Sequence, residues 1–173
     1  LIQLEETTDK TLACVTAVME RAKKTSGFQE MYDDLMAASA KIDHNFLTYI
    51  IGIMYIESKF NPTIGGPKGE NSVGLMQLTP IAVAELNRSR KELPEECQEN
   101  FVVDKLTDPR YNIKAGSCFF LLGYQRTGTY TEAIILYNGG QAQLKLLERD
   151  RRITSITANY VTFINYLKET YCE

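Results

Sequence analysis

The sequence predicts a mainly α-helical single domain, and three observations predict it. Apolar residues recur at helical spacing along most of the 173 residues. Thr-Pro and Asp-Pro pairs, which serve as helix starts, precede two of the periodic segments. No repeat, low-complexity tract or linker interrupts the pattern, so residues 1–173 read as one domain.

The elements follow in chain order. Residues 9–24 place Leu12, Val15, Val18 and Met19 at helical spacing, and residues 28–40 do the same with Phe28, Met31, Leu35 and Met36. Asp43 is placed to cap a helix running to about Lys59. Its body (Phe46, Leu47, Ile50, Ile51, Ile53, Met54, Ile56) is apolar nearly all round, which puts it at the centre of the domain. Asn61-Pro62 closes it, since a residue before proline is pushed out of the helical region. Residues 62–72, with Gly65, Gly66, Pro67 and Gly69, read as a loop or at most a short irregular hairpin. Thr79-Pro80 opens a helix to about Arg90, and Asp108-Pro109 opens one to about Gln125. Thr131 begins another that ends at Gly139-Gly140, followed by a short segment at 142–149. Thr154 or Ser155 caps a final helix with Ile156, Tyr160, Phe163, Ile164, Leu167 and Tyr171 on one face.

Composition excludes several classes. The net charge is −3 and no lysine/arginine block is long enough to bind nucleic acid. The longest apolar stretch, Phe46 to Ile56, falls short of the roughly 20 residues of a membrane span. The chain opens on Leu1 without a signal peptide or initiator Met and reads as a mature or trimmed form. The cysteines are Cys14, Cys97, Cys118 and Cys172; none forms a Cys-x-x-Cys pair and His44 is the one histidine, which argues against zinc. Of the three pairings, Cys97–Cys118 with Cys14–Cys172 is favoured, the second tying the chain ends together. Four buried free thiols in a cytosolic protein are the alternative.

One carboxylate stands out. Glu57 follows the apolar run at i+7 from Ile50 and i+3 from Met54, and so shares their buried face. Burial disfavours the charged carboxylate, and a raised pKa suits a general acid. The alternative is a glutamate at a helix end that points into solvent.

Further motifs accompany it. The chain reads Glu57-Ser58-Lys59-Phe60-Asn61-Pro62, then Gly74-Leu75-Met76-Gln77, then Thr79-Pro80. Asp108-Pro109 follows with Asn112-Ile113 and Gly116, then Tyr137-Asn138-Gly139-Gly140 and Ala158-Asn159-Tyr160-Val161. In this order and spacing the set resembles the soluble lytic transglycosylase family, whose catalytic domain has a lysozyme-like fold. The resemblance covers roughly residues 43–167, with the helices of 9–40 packed on that part.

The resemblance implies a role for each matching position. Glu57 is the catalytic acid/base and Tyr137 its close partner. Ser58, Met76, Gln77 and Asn138 belong to the substrate site, with Gln77 hydrogen-bonding the glycan, and Tyr160 is an aromatic near the groove. Structural alternatives stand beside these: Met76 as a gap-filling core residue, Tyr137 as a core tyrosine, Gln77 as an exposed loop residue. Two departures from the family pattern are visible. The serine that often follows Asn-Pro is missing from Thr63-Ile64-Gly65-Gly66, with Ser58 or Ser72 available to supply the hydroxyl. Gly139 stands where alanine is usual.

Glycosidases commonly use two carboxylates. Glu70, Asp104, Asp108 and Glu132 are available, none in a matching motif position. The resemblance implies instead a one-carboxylate route on peptidoglycan, without cofactor or metal, that leaves 1,6-anhydro-N-acetylmuramic acid ends. A goose-type hydrolytic muramidase, with Glu70 activating water, and a catalytically silent glycan-binding module are the alternatives. The implied setting is periplasmic or extracellular, as a monomer, in wall recycling or in a secretion, conjugation or phage apparatus.

Overall fold

The apolar run after Asn45 folds as α1 (His44–Ser58), close to the predicted span. A computed structural model describes residues 44–59, 61–65, 71–152, 154–155 and 157–162. The two helices predicted before Asp43, the Asp43 cap, Glu70, the Cys14–Cys172 pair and most of the last helix's predicted apolar face lie outside the described residues.

Phe46, Tyr49, Ile50, Ile51, Ile53 and Met54 of α1 are all buried, as expected of a helix apolar nearly all round. Truncating any of these side chains to alanine would cost about 2–5 kcal/mol. The helix ends one residue before the predicted limit. Lys59 takes a left-handed conformation (φ 49°) while its N–H donates to Tyr55 O at 2.9 Å, so the stop is made before Asn61-Pro62 is reached.

α2 (Pro80–Ser89) and α3 (Pro109–Thr127) start where the sequence places them. The Thr79 side chain accepts from Ala82 N, and the Asp108 side chain accepts from Tyr111 N. Between the two helices run three 3-10 turns, at Arg90–Glu92, Glu95–Cys97 and Val103–Lys105. This long connection is tied to both helices. Asn87 exchanges hydrogen bonds with the Phe101 backbone at 2.8 and 2.9 Å. Cys97 is bonded to Cys118 of α3, with Cα atoms 5.7 Å apart.

α4 (Tyr130–Asp150) differs from expectation at both ends. Thr129, not Thr131, caps it: its side chain accepts from Glu132 N, which gives the start signal to the threonine three residues before a glutamate. Gly140 (φ 67°, ψ −168°) breaks the helix without ending it, and the chain resumes helical form through residues predicted as a short segment. Ser155 and residues 157–162 are again helical.

α3 packs along α4. An aromatic cluster joins both to α1: Tyr49 and Tyr124 each stack on Tyr130 at 4.4 Å, and Phe46 lies 5.6 Å from Phe120. The last turn of α1, carrying Glu57, emerges from this core.

Candidate active site

Glu57 is half-buried, one residue before the end of α1, where the apolar helix meets the loop of residues 73–78. Ser58 makes that junction. Its hydroxyl is buried and bonds Leu75 O at 2.8 Å and Met54 O at 3.0 Å, so it ties the helix end to the loop. The Ser58 hydroxyl, a candidate for the substrate site, bonds the protein's own carbonyls here.

The loop is a closed turn. Val73 and Leu78 exchange backbone hydrogen bonds at 2.9 and 3.1 Å, and Gly74 and Gln77 both take positive φ, at 77° and 48°. Glycine is required at the first of these, because a Cβ there would run into the Asn112 amide as well as into an unfavourable backbone region. Gln77 does not project its amide outward. Its Nε2 donates to Ile64 O and Gly74 O, both at 2.9 Å, and its Oε1 accepts from Ser72 at 2.9 Å. Both amide hydrogens and one lone pair of the amide oxygen are thus engaged inside the loop. Ser72, one of the two serines considered for the missing family hydroxyl, is the one that reaches Gln77.

Met76 is fully buried, in keeping with the gap-filling alternative. It seats over Gly116, where a Cβ would come within 2.8 Å of the Met76 Cβ. Asn112 holds the same segment. Its Oδ1 accepts from Met76 N at 2.8 Å, while its Nδ2 donates to Val73 O at 2.7 Å and Leu106 O at 3.0 Å. Asn112 and Gly116 are four residues apart, on one face of α3. That spacing is the signal that could have given each a role from the sequence.

Both tyrosines lie near Glu57, as the charge it exerts on each shows, but their hydroxyls bond different partners. Tyr137 donates to Met76 O at 2.7 Å, bracing the loop, whereas Tyr160 donates to Glu57 Oε1 at 2.9 Å. The reason is positional: Tyr137 faces the loop from α4, and Tyr160 reaches the helix end from the last helical turns. Burial, and then the negative charge of Glu57, pushes the Tyr137 hydroxyl well above the ordinary tyrosine value of 10.0. Tyr160 is pushed up well above 10.0 by burial and then by Glu57. Both phenols therefore stay protonated donors beside the carboxylate. Asn138, half-buried, accepts from Thr157 at 2.9 Å and so braces the last helical turns.

Among the described residues, the three acidic side chains considered as a second carboxylate are otherwise placed. Asp108 caps α3 and Glu132 accepts from Thr129 at 3.1 Å in the first turn of α4. Asp104 is exposed in a 3-10 turn. Among the described residues no group of His, Cys, Asp or Glu could hold a metal ion, and no helix is long and apolar enough to cross a membrane.

Residues 34–159 match the transglycosylase SLT domain family. No curated protein gives a significant match. Among solved structures the chain is similar to the X-ray structure of an inactive mutant of the lytic transglycosylase Slt from Pseudomonas aeruginosa. The TM-score is 0.58 at 21% identity over 79% of this chain, and the match spans 23% of that protein's length. The fold is thus the lysozyme-like one of a lytic transglycosylase, and the chain belongs to the transglycosylase SLT domain family of enzymes.

Proposed function

We propose that this chain cleaves the β-1,4 bond between N-acetylmuramic acid and N-acetylglucosamine in peptidoglycan without water, leaving 1,6-anhydro-N-acetylmuramic acid ends. The observation that carries the reading is the setting of Glu57: a half-buried carboxyl at the end of a buried helix, hydrogen-bonded by Tyr160 and close to the loop that Tyr137 braces.

Glu57 first donates its proton to the glycosidic oxygen as the C1–O bond breaks. The substrate's own N-acetyl group stabilises the positive charge at C1. Glu57, now a carboxylate, takes the proton of the C6 hydroxyl as that oxygen closes onto C1. The glutamate ends as it began, and no second protein carboxylate is called on. Positioning supplies much of the rate, because nucleophile and electrophile belong to one sugar. The Slt structure from Pseudomonas aeruginosa is of an inactive mutant with glutamine in place of a glutamate, in keeping with a glutamate that the reaction needs.

Tyr160 orients the carboxyl, Met76 and Gln77 shape the loop facing the glycan, and Tyr137 and Asn138 hold that loop and the last helical turns in register. The Cys97–Cys118 disulfide suits action outside the cytoplasm, where peptidoglycan is met. Mass spectrometry of products released from purified sacculi tests the reading. Anhydro-muramoyl ends, lighter than reducing ends by one water, are expected from the native chain and absent with Glu57→Gln. Reducing ends would replace the lyase by a hydrolase, and unchanged cleavage by Glu57→Gln would remove the glutamate from its role.

A further inference from the structure

We propose that Thr157 is a positioning residue: it seats the last helical turns on the Gly139-Gly140 elbow of α4 and thereby holds the Tyr160 hydroxyl on Glu57. Thr157 is 2% exposed, and its hydroxyl donates to Asn138 Oδ1 at 2.9 Å while accepting from Thr154 Oγ1 at 3.2 Å. A second tie lies alongside, from Thr154 N to Gln143 Oε1 at 2.9 Å. Both ties cross the elbow, to Asn138 before it and to Gln143 after it. Gly140 supplies the bend with a backbone conformation that essentially only glycine adopts (φ 67°, ψ −168°).

Gly139 supplies the room. A Cβ at this position would lie 2.7 Å from Gln143 Cβ and 3.2 Å from Thr157 Oγ1, so alanine here would press on both ties. The departure from the family pattern at Gly139 therefore has a physical correlate in this chain: glycine permits the close seat of Thr157. Tyr160 is three residues further on, about one helical turn from Thr157. Its hydroxyl meets Glu57 Oε1 at 2.9 Å, so a small rotation of these turns would carry it out of hydrogen-bond range. Asn138 adjoins Tyr137, whose hydroxyl holds Met76 O, so neighbouring residues of α4 fix the last turns and the loop together.

The inference rests on the reading of Glu57 as the acid, and its test separates the two. The chain is labelled with 13C at tyrosine Cζ, and the Tyr160 signal is assigned by its loss in Tyr160→Phe. In Thr157→Val the signal should move in the direction that Glu57→Gln moves it. On peptidoglycan, kcat should fall about tenfold with KM within about twofold, as for a small misplacement of a catalytic group. Thr157→Ser, which keeps the hydroxyl, should restore both the signal and the rate. If Thr157→Val does not fold, Gly139→Ala asks the same question by crowding Thr157 from the other side. An unmoved Tyr160 signal in either folded variant, or a serine variant that behaves like valine, overturns the proposal. Full activity in Glu57→Gln would overturn the acid assignment alone, because the Tyr160 signal still reports the seat of Thr157.

Discussion

The Tyr160 hydroxyl donates to Glu57 Oε1 at 2.9 Å, joining the last helical turns to the end of the central helix. The bond fixes the direction in which the carboxyl group faces. Tyr160→Phe keeps the ring and its packing while deleting the donor. We expect kcat on sacculi to fall between about tenfold and a hundredfold with KM little changed, because orientation is lost and contact area is not. Steady-state kinetics with a circular-dichroism check of the fold measures this. A drop confined to KM would show that Tyr160 serves binding instead.

Alkaline pH should weaken the fold through the same residues. Burial and then the Glu57 charge raise Tyr137 and Tyr160 well above 10.0, whereas the unfolded chain ionises its tyrosines near that value. Above pH 10 the unfolded state therefore holds fewer protons than the native state, and stability falls as pH rises. The contribution is complete below the unfolded value and is lost on the way up to the folded ones. Each tyrosine should add up to about 1.4 kcal/mol of destabilisation per pH unit in that window. Thermal melts from pH 9 to 11 should show a steeper decline for the native chain than for Tyr137→Phe or Tyr160→Phe. Parallel curves would exclude both residues as its source.

Asn112 is the support under the loop. One fully buried amide bonds Met76 N, Val73 O and Leu106 O, so Asn112→Ala strands Met76 N and Leu106 O and leaves Val73 O with its bond from Leu78 N alone. At about 1–3 kcal/mol for each buried group left unpaired, a loss of about 2 kcal/mol or more is expected in urea unfolding. Asn112→Asp should also be destabilising. It keeps an acceptor for Met76 N but replaces two donated hydrogen bonds with an anion facing two carbonyl oxygens. A variant within about 0.5 kcal/mol of the native chain would show that the loop does not depend on this side chain.

Much of the fold was legible because its signals are local. The apolar run of α1 and the Thr79-Pro80 and Asp108-Pro109 starts each depend on a few neighbouring residues, and each appears near its expected place. Gly140 reads as an end in the sequence and is a bend in the structure, since one glycine can serve either and the helix beyond decides. The contacts among the candidate site residues were not legible in the sequence. Which tyrosine meets Glu57 depends on how α4 and the last helical turns pack, a relation between positions 103 residues apart. Gln77 shows the same limit. Next to Met76 it reads as a hand for substrate, and only the closed turn reveals that Ser72, Gly74 and Ile64 already occupy its amide.

The Cys97–Cys118 disulfide closes the connection between α2 and α3, a sequence separation of 21. Holding a loop of that length in the unfolded chain removes entropy equivalent to about 3 kcal/mol. The connection also carries Leu106, whose carbonyl accepts from Asn112, so its fraying would reach the loop by the α3 face that carries Asn112. The double variant Cys97→Ser, Cys118→Ser removes this bond while leaving Cys14 and Cys172 untouched. It should lose about 2–4 kcal/mol in urea unfolding and keep much of its activity at low temperature, where the native packing still holds the connection. Activity should then fall at a lower temperature than in the native chain, in step with the melt. Loss of activity well below the melting transition would show instead that the disulfide shapes the site directly.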